Sequence, residues 1–144
     1  MFTIDIWFLR LAAIYALAGM SLGMWMAISG DHGQFPTHAH INLVGWVSFA
    51  IYGLVYRAYP AAAQSLLARW HFGLANLGAL LLAVGVAGIL AGHQGFEPVA
   101  GLGGMVTLLG AAVFTTILFR RIGISLPGLQ EKSFAAAGEL QASD

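Results

Sequence analysis

The sequence alternates between four long apolar stretches and short polar connections. Each stretch has the roughly 20 apolar residues that a helix needs to cross a bilayer. The predicted helices cover residues 4–28, 38–58, 68–91 and 98–121. The pattern therefore predicts an all-α protein with one domain of four transmembrane helices, residues 1–121, and a short mobile tail, residues 122–144.

Composition agrees with a membrane protein that contacts lipid. Hydrophobic residues make up 59% of the chain and charged residues 8%, whereas about a quarter of the residues in a soluble domain are charged. The formal net charge is zero, so we expect no nucleic-acid partner. Cysteine is absent, which excludes disulfides and thiolate metal sites.

The few cations predict the orientation of the helices. Arg57 and Arg69 flank the second connection, and two further arginines end the fourth helix. Positively charged connections tend to stay in the cytoplasm. We therefore expect both termini to be cytoplasmic, in an inner membrane of bacterial type, with the connections 29–37 and 91–98 on the outer side.

Two histidines at the start of the second helix are the clearest functional signal. The segment THAHINLVGWVSFAIYG begins at Thr37, predicted near the N-cap, and places His38 and His40 in the first turn. Residues two apart on a helix point about 200° apart, so we expect these two rings to contribute to two different sites. Because ionisable groups inside a membrane are costly and usually functional, we favour metal ligation over capping or headgroup anchoring.

The residues that follow these histidines resemble a known family. They are similar to haem-binding helices of the large subunit of haem-copper oxidases and nitric oxide reductases. One such family helix has a histidine in a His-x-Asn-Leu pattern followed by Trp, and another has His-x-His. The segment from Trp7 to Ile28 also looks like the first helix of that family. The residues of the second helix that carry the resemblance are His38, His40, Asn42, Leu43, Trp46 and Gly53.

The resemblance implies an assembly and a cofactor. Family subunits have about twelve helices in three arcs of four, and this chain is one arc long, so a cyclic homotrimer would rebuild that arrangement. It implies haem b at each subunit interface, held by His40 of one subunit and His38 of its neighbour. The other residues expected to bind the cofactor are Asn42, Gly45, Trp46 and Phe49.

The sequence departs from the family at the copper site, because it has no adjacent pair of histidines. An iron with two histidine ligands also has no vacant position for a substrate. We therefore expect electron transfer, with a quinol or a redox protein as partner. The first alternative is an oxidoreductase or sensor that reacts with oxygen or nitric oxide, and the second is a copper- or zinc-binding or structural bundle without haem.

Four residues are weaker site candidates. His32, His93 and Glu97 lie in or beside the outer connections and would suit zinc or copper, although solvated loops are the simpler interpretation. Met24 has a soft thioether that would suit Cu(I) or haem iron, although packing is simpler for methionine.

Two further patterns predict structure rather than chemistry. His71 follows Trp70 at the start of the third helix, and we expect it to be an interfacial ring whose replacement by alanine leaves a haem spectrum nearly intact. The GxxxG pairs, Gly19 with Gly23 and Gly88 with Gly92, predict close helix packing.

Overall fold

The computed structural model describes residues 3–121, so the predicted tail, 122–144, lies outside the described residues. Within the described chain, four helices are long and apolar enough to cross a membrane. This confirms the predicted all-α membrane fold, and the α-helical bounds lie within about three residues of those expected. We call the helices span 1 (Ile4–Ser29), span 2 (Phe35–Ala58), span 3 (Leu66–Leu90) and span 4 (Gln94–Arg120).

Short elements connect the spans. A single helical turn, Pro60–Ala63, joins span 2 to span 3. A 3-10 turn, Gln94–Phe96, opens span 4, and the α-helix proper covers Glu97–Arg121. Because every described segment of regular structure is helical, the core consists of helix faces packed against each other.

Span 2 is not a uniform α-helix. It starts as an α-helix, Phe35–His40, continues as a π-helix, Ile41–Val47, and returns to an α-helix, Ser48–Ala58. The Ser48 hydroxyl also donates to the carbonyl five residues earlier, that of Leu43, at 2.8 Å. π-Helical segments are rare and frequently mark functional sites. This one directly follows His40, and the apolar pattern alone did not predict it.

Span 2 also begins earlier than expected. Its first residue is Phe35, and Pro36 is tolerated in the first turn because the N–H groups there have no partner within the helix. Gln34 occupies the N-cap position, and the buried Thr37 donates its hydroxyl to the Gln34 side-chain oxygen at 2.7 Å. The predicted cap at Thr37 was therefore wrong.

Glycine permits close contact between the spans. A Cβ atom on Gly103 of span 4 would lie 2.7 Å from the Leu82 Cα atom of span 3, and one on Gly53 of span 2 would lie 2.8 Å from the Leu9 side chain of span 1. Membrane helices associate through this kind of approach, because lipid tails are as apolar as the side chains. Packing therefore depends on small residues at the helix crossings.

The second predicted GxxxG pair divides between two roles. Gly88 lies against the ring of Phe96, as expected of a packing glycine. Gly92 instead has a φ of +88°, just beyond the end of span 3, and a Cβ there would meet no atom within 4 Å. Gly92 therefore ends the helix in a left-handed conformation that other residues rarely adopt.

A pair of adjacent glycines tests this packing. We expect Gly103→Ala to lower the free energy of unfolding by about 1–3 kcal/mol, because the new methyl group meets the span 3 backbone. Gly104→Ala meets nothing within 4 Å, so it should be neutral or stabilise by about 0.5–1 kcal/mol. Thermal unfolding in detergent measures both, and equal stability of the two variants would contradict the proposed contact.

Candidate functional site

The two ends of the bundle differ in chemistry. His38 and His40 lie at the start of span 2, and we call this the histidine end. Arg57 lies near the end of span 2, and Arg69 lies in the first turns of span 3. We call this opposite end the arginine end.

His40 has one ring nitrogen committed to the backbone. Its Nδ1 atom lies 2.7 Å from the carbonyl oxygen of Pro36, one turn earlier. A carbonyl can only accept, so Nδ1 carries the proton and Nε2 carries a lone pair. The residue is half-buried. The bond therefore fixes the tautomer and leaves Nε2 as a potential ligand.

His38 shows the same arrangement with a partner on another helix. Its Nδ1 lies 2.9 Å from the carbonyl oxygen of Gly19 in span 1, so Nδ1 donates there too. Asn42 donates from Nδ2 to the backbone carbonyl of His38 at 2.8 Å. The same Nδ2 atom lies 3.4 Å from both ring nitrogens of His38, which is longer than an ordinary hydrogen bond of about 2.7–3.2 Å. His38 is thus anchored against span 1 with its Nε2 weakly engaged.

The first GxxxG pair makes room for these side chains. A Cβ on Gly23 would lie 2.8 Å from Cε1 of His38, and one on Gly19 would lie 2.5 Å from Nδ2 of Asn42. The packing predicted for this pair is therefore confirmed. Its particular role, seating a histidine and an amide from span 2, was not predicted, because a single sequence does not show which helix faces the motif.

The structure divides the predicted cofactor residues between two surfaces. Gly45 packs against the ring of Tyr15, and Phe49 is 1% exposed in the core. Trp46 is 42% exposed on the outside of the bundle. The predicted residues of span 2 thus form two groups. The inner group faces span 1 and consists of His38, Asn42, Gly45 and Phe49. The outer group consists of His40 and Trp46.

The weaker candidates lie apart from this arrangement. His32 donates from Nδ1 to the Gly30 carbonyl at 3.1 Å, His93 is exposed in the other connection, and Glu97 is exposed in span 4. Met24 is 62% exposed on span 1. Among residues 3–121, no group of three histidine, aspartate or glutamate side chains is placed to hold a metal ion. The candidate zinc or copper site thus has no assembled ligand set in the described chain.

His71 lies in the core rather than at a membrane surface. Its side chain has no solvent exposure, and its ring lies between those of Phe8 and Phe114, with centroid distances of 5.2 and 5.1 Å. Its Nδ1 is hydrogen-bonded to the Tyr56 hydroxyl at 2.8 Å, and its Nε2 has no partner. The predicted interfacial ring was therefore wrong.

The sequence did contain a signal for this burial. The small residues Ala75, Gly78 and Ala79 follow His71 at helical spacing, and all are buried. A stripe of small residues marks the face of a membrane helix that packs closely. His71 lies on that face, so span 3 carries it into the contact with the other spans.

Comparison of the chain with protein-family models, curated proteins and solved structures gives no match. The chemistry of the site is therefore argued from its own residues. The two histidines of span 2 each have a fixed tautomer and a lone pair at Nε2. They differ in position, because one contacts span 1 and the other is bonded only within its own helix.

The buried pair of Tyr56 and His71 can be tested by a double-mutant cycle. Tyr56→Phe leaves His71 Nδ1 without a partner and should cost about 1–3 kcal/mol of unfolding free energy. His71→Phe leaves the Tyr56 hydroxyl unpaired and should cost a similar amount. The double variant removes both polar groups, so we expect it to be more stable than the sum of the single losses predicts. Strict additivity in thermal unfolding would rule out the coupling.

Proposed function

We propose that this chain is an integral membrane protein that binds haem b through His38 and His40 and carries electrons. The supporting observation is the shared tautomer of the two rings, since each donates Nδ1–H to a backbone carbonyl. Metal-bound histidines almost always donate their other ring N–H to a carbonyl, carboxylate or water. The donor set thus fits an iron porphyrin, which His38 and His40 would hold through their Nε2 atoms.

The different surroundings of the two rings favour a site shared between copies of the chain. His38 is hydrogen-bonded to span 1, whereas within residues 3–121 the His40 ring is hydrogen-bonded to its own helix. Each copy would therefore contribute its two histidines to two different haem sites. A closed ring of copies would pair His40 of one copy with His38 of the next. We propose a homotrimer with such a site at each interface, similar to the twelve-helix plan of the haem-copper oxidase large subunit.

The surface beside His40 supports this arrangement. Leu43 is 62% exposed, and Trp46 and Val47 are also exposed on the π-helical segment and apolar. An apolar surface of this kind suits a porphyrin face, a neighbouring subunit or lipid tails. This surface lies next to a half-buried histidine whose Nε2 is available, which favours a porphyrin face or a neighbouring subunit over lipid tails.

The protein's own groups would set the properties of the site. Bound haem b supplies a one-electron iron couple. The carbonyl acceptors of Gly19 and Pro36 would hold both rings in the orientation that leaves Nε2 available to the iron. Two histidine ligands leave no vacant position on the iron, so the site favours electron transfer over substrate chemistry. A quinol or a redox protein is the proposed partner, in an inner membrane with the arginine end in the cytoplasm.

A second candidate function is reaction with oxygen or nitric oxide, which would require one histidine to leave the iron. The Asn42 amide lies 3.4 Å from both ring nitrogens of His38 and donates instead to the backbone carbonyl of His38, so it leaves the Nε2 lone pair available. The departure of either histidine would open one position on the iron. Carbon monoxide added to the reduced protein tests this point, because a change in the Soret band requires an open iron.

Absorption spectra of ligand variants test the haem proposal. We expect His38→Ala and His40→Ala each to lose most of the Soret absorbance per polypeptide, because every site takes one ligand of each kind. His93→Ala is the matched control, since this exposed histidine lies in a connection and should keep the wild-type spectrum. His71 is unsuitable as a control because it is fully buried.

Two results would contradict the proposal. Wild-type protein from haem-replete cells that lacks a Soret band would reject haem binding. Full haem retention by either span 2 variant would reject the pairing of His38 with His40. Light scattering of the detergent-solubilised protein tests the assembly separately, and a dimeric mass would reject the trimer.

A further inference from the structure

The arginine end contains an open cleft of about 1020 Å³. It lies between the start of span 1, the end of span 2 and the start of span 3. Its polar lining consists of Thr3, Asp5, Arg57, Gln64 and Arg69. The cleft is at the opposite end of span 2 from His38 and His40, so it is independent of the proposed haem sites.

The charged groups of the cleft have an excess of positive charge. Arg57 Nη1 lies 3.3 Å from a carboxylate oxygen of Asp5, and the Arg57 side chain is 66% exposed. A guanidinium has five N–H donors, so this single contact leaves most of them available. Arg69 has no ion pair within residues 3–121. Two guanidinium groups therefore face one carboxylate in the cleft.

Two helix starts add to this positive potential. Span 1 begins at Ile4, where Thr3 makes no side-chain cap hydrogen bond and Asp5 is the acidic residue of the first turn. Span 3 begins at Leu66, where Ser65 Oγ accepts only from the Ala68 N–H. The positive ends of both helix dipoles lie at the same end of the bundle, which favours an anion beside the arginines.

The remaining walls of the cleft are apolar. Ile4, Pro60, Ala63 and Phe72 line it, together with the ring of Tyr56. Tyr56 is 1% exposed and its hydroxyl is hydrogen-bonded to His71, so the ring forms a fixed wall. The cleft thus combines donors for an anion with a surface for hydrocarbon.

We propose that this cleft binds an anionic phosphate group, with Arg57 and Arg69 as its charged donors. Arginine suits phosphate because its planar group forms two parallel, charge-assisted hydrogen bonds. The phosphate would come from the headgroup of an anionic lipid or from a soluble phosphate. The apolar walls leave room for the glycerol and upper acyl chain of the first source.

Calorimetric titration of the full-length protein in neutral detergent tests the proposal with two probes, dihexanoyl phosphatidylglycerol and inorganic phosphate. We expect Arg69→Gln to weaken binding about tenfold, the effect of removing one charge-assisted contact. The exposed Arg69 makes no ion pair in the described chain, so this variant should fold normally. Arg120→Gln is the matched control, because Arg120 is not part of the cleft lining.

A second variant gives a change of the opposite sign. Asp5→Asn removes the competing carboxylate and releases Arg57, so we expect several-fold tighter binding of the same probe. Binding of the lipid probe alone, with this pattern of variants, identifies a lipid headgroup as the source. Binding of inorganic phosphate with the same pattern identifies a soluble one. No binding of either probe, or equal affinity in wild type and Arg69→Gln, would overturn the proposal.

Discussion

The hydrogen bonds from the two histidine rings to backbone carbonyls are the interaction on which the site depends. Imidazole N–H groups within a bilayer need partners in the protein, because the hydrocarbon offers none. The Gly19 carbonyl of span 1 and the Pro36 carbonyl of span 2 meet this need. The same bonds decide which nitrogen keeps a lone pair, so a requirement of stability also sets the chemistry of the proposed site.

Close packing of the helices makes the His38 bond possible. The ring reaches span 1 because Gly23 has no side chain in its way, and Gly19 makes room for the neighbouring Asn42 side chain. A methyl group at Gly23 would meet the ring at 2.8 Å. The glycine pair therefore has two effects. It allows the helices to pack closely, and it leaves room for the histidine ring. Helix association and the position of the His38 ring are coupled through the same few atoms.

The bundle separates its polar chemistry by depth. The histidine end presents two imidazole rings, and the arginine end presents guanidinium groups and helix starts around an open cleft. Between them, Phe8, Tyr56, His71 and Phe114 form a dry aromatic core. A redox cofactor at one end and an anion at the other would thus be kept apart by about the length of span 2.

The sequence by itself determined the class of fold, because four runs of about 20 apolar residues allow little but membrane-spanning helices. It also singled out His38 and His40, since ionisable residues near the start of an apolar run are costly without a purpose. Only the tertiary structure decided which groups these rings contact, that span 2 contains a π-helix, and that His71 is buried. Those features depend on contacts between residues far apart in the chain, such as His38 with Gly19, which local hydrophobic periodicity does not encode.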